Sequence, residues 1–136
     1  MKSKQLLMAS SVLLAPHIAF GGPPLDMSGP VICAVTEIVG CEMSGDCVRS
    51  KAETFNLPVL LRVDIANKVA ESARSGDEKR VSVITGATDV DGVSVLHGVD
   101  GIVGWSATID RVSGEMIVVS AHPDISYTAF GTCATL

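Results

Sequence analysis

The chain has 136 residues, 47% hydrophobic and 18% charged, with 10 basic against 15 acidic side chains and a formal charge of −5. A chain of this length makes one ordinary domain, and a field of that sign repels phosphates and anionic lipid heads, which argues against nucleic acid and the membrane surface as partners. Aromatic residues are only 4% of the total, too few for the stacking platforms that sugar and single-strand binders use.

Lys2 and Lys4 precede an apolar run over residues 6–20, followed by Gly21. This is the layout of a secretory signal: basic start, apolar centre, small residues at the cut. The run is interrupted by Pro16 and falls short of the roughly 20 residues a bilayer-spanning helix needs. Residues 1–21 are therefore expected to be a signal peptide removed after Gly21. The first cysteine is Cys33, so no lipid anchor is expected on the first mature residue, and the mature chain is read as having no membrane anchor. Without Lys2 and Lys4 the 10 basic residues become 8 against 15 acidic ones, a charge of −7.

Residues 22–30 carry three prolines and no apolar period, which reads as an extended, flexible leader. Residues 31–136 read as a single β domain. Residues 31–41 form a first strand, with Cys33 and Cys41 an even number apart and so on the same side. Residues 48–54 would return beside it, ending at Pro58, which denies a ladder donor. Val59, Leu61, Val63 and Ile65 alternate with polar or outward residues at the period of a half-buried strand. Residues 65–74 fit either a short helix or a hairpin turning at Asn67-Lys68, and the all-β surroundings favour the hairpin. Residues 75–79 are a polar loop.

From Arg80 onward, apolar segments rich in Val and Ile alternate with the turn pairs Asp91-Gly92, Asp100-Gly101, Ser113-Gly114 and Pro123-Asp124. Glycine accepts the positive φ of tight turns and β-branched residues suit a pleated surface, so this is an antiparallel meander. Trp105 shares a face with Val103, Ala107 and Ile109 and points inward. The fold class is all-β, a single domain of eight or nine strands arranged as a closed barrel or a two-sheet sandwich.

The four cysteines are Cys33, Cys41, Cys47 and Cys133. An even count in an exported chain, with no CxxC spacing, predicts two disulfides. Cys41 and Cys47 bracket a turn-rich pentapeptide and pair with each other. That leaves Cys33 for Cys133, joining the first strand to the last.

Arg80 with its apolar run, Asp91-Gly92, Gly104-Trp105-Ser106, Ile109-Asp110, Gly114 and the ending Phe130-Gly131-Thr132-Cys133 resemble a pattern found in small exported proteins of Gram-negative bacteria. The resemblance spans residues 33–133. It implies export and a β-rich fold, and it implies no activity.

No stretch carries a catalytic or cofactor motif. Gly104-Trp105-Ser106-Ala107-Thr108 lacks the final glycine of a nucleophile elbow and the strand-to-helix context such a turn needs. Asp89-Val90-Asp91-Gly92 lacks the later ligands of a calcium loop and reads as a hairpin turn. The sharpest candidate joins His97, Asp100, His122 and Asp124. Turns of a meander alternate between its two ends, which brings these four to one rim, where they could hold a divalent metal or an anionic ligand. The plain alternative is a set of solvated turn residues. Trp105 becomes a ligand platform if the barrel is hollow, while the apolar face it shares favours a filled core.

These residues point to an exported, periplasmic or secreted, non-enzymatic binding module for a small ligand or an envelope protein. The alternatives are a small metal-dependent hydrolase and a purely structural envelope protein. A central cavity of at least about 300 Å³ would favour a ligand, and an uncovered strand edge would favour a protein partner.

Overall fold

The computed structural model describes residues 22–73 and 79–136. The proposed signal segment 1–21 and most of the polar loop after Ala73 lie outside the described residues. Nine strands follow one another: β1 Val31–Glu42, β2 Cys47–Ser50, β3 Leu60–Asp64, β4 Val69–Ser72, β5 Val81–Val90, β6 Val93–Asp100, β7 Val103–Asp110, β8 Glu115–Ala121 and β9 Ile125–Thr135. Every pairing is antiparallel, and β9 returns to β1, so β1 and β3 to β9 close an eight-stranded barrel. β2 lies outside that ring as an extra strand on the second half of β1. The barrel, and not the sandwich, is what the paired ends form.

Local chemistry sets the turns. Asp91 and Gly92 both have positive φ, 49° and 83°, the two-residue hairpin turn whose twist matches the strands it joins. After β7, the Asp110 carboxylate accepts hydrogen bonds from the backbone N–H groups of Val112 and Ser113 at 2.8 and 3.1 Å, which holds its pKa below the ordinary carboxylate value. Residues 65–68 form a turn and β4 runs back beside β3, so the hairpin reading holds over its described residues. There the Asp64 carboxylate accepts from the side chain and backbone N–H of Asn67 and pairs with Arg62. Hydrogen bonds from Asn67, more than the guanidinium, lower its pKa.

Both disulfides form as read. Cys33 and Cys133 face each other in the β1–β9 register, and Cys41 and Cys47 do so in β1–β2. Their sidedness is different from the even-spacing argument. The β1–β9 register slips between Val35 and Glu37, an extra residue that reverses which face later residues occupy. Val31, Cys33 and Val35 point inward before the slip and Ile38 and Gly40 after it, so Cys41 lies on the outer side. β5 slips likewise between Ile84 and Gly86. A threonine sits at each slip, and each donates its hydroxyl to a carbonyl on the facing strand, Thr36 to Phe130 and Thr85 to His97.

Two further segments depart from expectation. β2 ends at Ser50, and Ala52–Phe55 forms one turn of 3-10 helix in place of more strand. That turn buries Ala52 and carries Phe55 over the end of the barrel, where its ring meets Tyr127 edge-on at 5.4 Å. The leader is no free tether. Leu25 and Met27 are each 8% exposed and belong to the core. Arg111 accepts a hydrogen bond from the Leu25 N–H through its carbonyl and returns one from Nε to the Leu25 carbonyl. Prolines suppress any period here, but two large apolar residues at i and i+2 suffice to plug the barrel end that closure leaves open.

Candidate ligand cavity

The pairing register sorts the inward side chains of β6, β7, β8, β9 and β1 into rows. The lowest runs Ser94, Ile109, Met116, Gly131 and Val35. Above it come Leu96, Ala107, Val118, Ala129 and Ile38, then Gly98, Trp105, Ser120, Tyr127 and Gly40. Large and small residues alternate, which is how a narrow barrel fills its taper. In the third row each ring lies toward a glycine. A Cβ on Gly98 would stand 2.5 Å from the Trp105 ring, and one on Gly40 would stand 3.1 Å from Tyr127.

The lower rows are filled. Val31, Cys33, Ile84, Leu96, Ile109 and Met116 are all 2% exposed or less, with Leu25 and Met27 sealing the base. Higher up, on the β4 to β8 side, the Trp105 ring takes the place beside Gly98, and the remaining inward positions include Ala70, Ser72, Ser82 and Ser120. These are too small to meet across the barrel. A cavity of about 240 Å³ results, with Leu61, Val63, Ala107 and Val118 on its walls and Trp105 beside it. The filled core expected around Trp105 is therefore present only in the lower half.

Trp105 is half-buried, and its Nε1–H donates to the Ser82 hydroxyl at 2.7 Å. That bond satisfies the indole and locks the ring against the wall. A hydroxyl that accepts from the indole still has a proton to give. Ser120, opposite Trp105 in the β7–β8 register, also lines the space. An apolar chamber with two serine hydroxyls and an indole face suits a small, mainly apolar molecule carrying one polar group.

The mouth lies at the β6–β7 and β8–β9 turns. Asp100 and His122 both line it, and two strand spacings put them roughly 10 Å apart. The His122 ring packs edge-on against Tyr127 at 5.3 Å. The other two members of the proposed rim cluster do not join them. His97 has the parity opposite to Leu96 and Gly98 and lies exposed on the outer wall, its ring over Gly86. Asp124 is exposed in its turn, where its backbone carbonyl accepts from Met43 N–H. Among the described residues, no three His, Cys, Asp or Glu side chains converge as a metal site. Parity was readable in advance: His97 and Asp100 are three positions apart, an odd number, so one regular strand cannot turn both the same way.

The two motif-like stretches are structural. Ser106 faces outward in mid-strand and donates to the Leu96 carbonyl at 3.1 Å, with no strand-to-helix elbow around it. Asp89 accepts a hydrogen bond from the Ser94 hydroxyl beside the Asp91-Gly92 turn. Ser72, Ser82 and Ser120, small residues that line the cavity, carry no motif. Their one sequence signal is inward parity beside a lone tryptophan.

No protein-family profile matches the chain, and no curated protein or solved structure matches it. The functional reading accordingly stands on the cavity itself. Two disulfides and no free cysteine among the described residues suit an oxidising compartment outside the cytoplasm.

Proposed function

We propose that this protein is an exported, non-enzymatic binding module, periplasmic or secreted, that holds a small and mainly apolar ligand in the upper half of its barrel. The observation that carries the reading is the cavity beside Trp105, about 240 Å³ in volume. That volume falls short of the roughly 300 Å³ named above as favouring a ligand, the size at which drug-sized pockets begin, but exceeds the roughly 150 Å³ that accepts benzene in an engineered core, so the occupant is smaller than drug-sized. A lipid-sized occupant is too large. A substituted benzene or a short branched chain with one hydroxyl or carbonyl fits the space, the indole and the two serines.

Trp105 is the chain's single tryptophan, so its fluorescence reports on the cavity alone. Titration with p-cresol and with benzyl alcohol should change that fluorescence saturably and raise the melting temperature, because a ligand bound only by the folded state stabilises it. Ser120→Leu should abolish both effects by filling the space while leaving the protein folded. A linear, non-saturating response in the native protein would remove the proposal, as would an unchanged response in Ser120→Leu.

The metal-dependent hydrolase reading gains nothing from the geometry, since Asp100 and His122 stand at the mouth without a third ligand among the described residues. A protein partner has separate support in an uncovered strand edge.

A further inference from the structure

β4 covers β5 only as far as Val81, Ser82 and Val83, with one more bond from Ile84 N–H to the Lys68 carbonyl. β5 then continues to Val90 paired to β6 alone. Among the described residues nothing pairs with its other edge from Gly86 to Val90. The hairpin turn settles which groups face that edge. A two-residue turn at Asp91-Gly92 makes Val90 and Val93 a hydrogen-bonded pair, and such pairs alternate along the ladder. Thr88 and Gly86 therefore bond toward β6, leaving the N–H and C=O of Ala87 and Asp89 directed outward.

Such edges are usually blunted by lysine, proline or extreme shortness. β2, the other strand with a free edge, is four residues long, tied by the Cys41–Cys47 bond and flanked by the Arg49–Glu37 ion pair. The β5 edge carries no lysine, proline or disulfide; its guards are the slip at Thr85, where the free stretch begins, and the charge of Asp89, while Gly86, Ala87 and Thr88 are small and uncharged, and residues 87–90 are exposed.

We propose that the β5 edge receives an extended, basic segment of a partner protein as an added strand, with apolar and basic side chains alternating. The backbone groups of Ala87 and Asp89 supply the ladder bonds. Side chains of an added strand fall on opposite faces by turns. One set lies beside Thr88 and Val90 on the outer face, and Val90 is 54% exposed, which suits apolar residues. The other set lies beside Asp89, whose carboxylate accepts from Ser94 and stands 3.9 Å from the Arg111 guanidinium, with Asp91 exposed at the turn; two carboxylates against one guanidinium leave a net negative charge that suits lysine or arginine. A second copy of this chain is the poorer occupant: it brings the same negative charge, and pairing over five residues falls short of the roughly 1,000 Å² of a stable dimer.

The probe is a synthetic nine-residue peptide of alternating valine and lysine, followed by backbone amide NMR of the disulfide-bonded protein. Saturable binding should slow hydrogen exchange at Ala87 and Asp89 at least tenfold. The Ala87 N–H makes no bond within the barrel, so Ala87→Pro should weaken binding at least tenfold while Trp105 fluorescence stays native. A valine–lysine peptide N-methylated at every second amide should also fail to bind, a control that leaves the protein untouched. The inference is overturned if the two amides gain no protection, if an alternating valine–glutamate peptide binds equally well, if the N-methylated peptide binds, or if the free protein dimerises with those amides already protected.

Discussion

The two disulfides should contribute very unequally to stability. Cys33 and Cys133 are 100 residues apart, Cys41 and Cys47 only 6. In the loop-entropy account a cross-link closing about 100 residues stabilises by roughly 4.7 kcal/mol, and one closing about six by roughly 2.2 kcal/mol. Burial adds in the same direction, since Cys33 is 0% exposed while Cys47 lies on the surface. Urea unfolding of Cys33→Ala/Cys133→Ala against Cys41→Ala/Cys47→Ala should therefore show a gap of about 2.5 kcal/mol or more. With a slope of about 1.5 kcal/mol/M for a domain of this size, the midpoints would differ by roughly 1.7 M. Mild reductant on the native protein should open the exposed Cys41–Cys47 bond first, with little change in the far-ultraviolet spectrum. Equal losses for the two variants, or a larger loss for the short bridge, would refute the claim that sheet closure is locked where the chain ends meet.

Three further outcomes follow from the packing and the charges. Gly98→Val puts side-chain atoms where the Trp105 ring lies, so it should destabilise by about 1 to 3 kcal/mol and shift the tryptophan emission, both read in one thermal melt. Leu25→Ala should cost about 2 to 3 kcal/mol by unplugging the barrel base, measured by urea unfolding, and a cost near zero would show that the leader seals nothing. Asp26, Asp64, Glu71 and Asp110 have pKa values held below their ordinary values by hydrogen bonds, from Ser28, Asn67, Lys79 and Ser113 respectively. A carboxylate whose pKa is lower folded than unfolded contributes stability above its unfolded pKa and loses it as pH falls through the folded value. The melting temperature should stay level from pH 7 to about 5 and fall below about 4. A melting temperature that rises on acidification would contradict that sign.

Much of the barrel was legible in the residues. The strands from Val81 onward sit where the turn pairs bracket them, because glycine and aspartate at tight turns act within four residues and need no distant partner. The cysteine pairing was equally readable, since Cys41-x5-Cys47 closes locally and leaves one partner for Cys33. The cavity was not. Ser72, Ser82 and Ser120 are unremarkable apart, and they leave space only because the register brings them to one side of one barrel.

Local chemistry alone settled that this chain is a β-meander with turns at stated places, two cross-links and an inward tryptophan. Tertiary pairing decided the rest. One extra residue in β1 turned the rest of that strand to the opposite face, so Cys41 points outward, one in β5 did the same to the residues after Thr85, and closure left an open end that Leu25 and Met27 fill. Such a slip depends on what the facing strand requires, a non-local energy that no window of sequence contains.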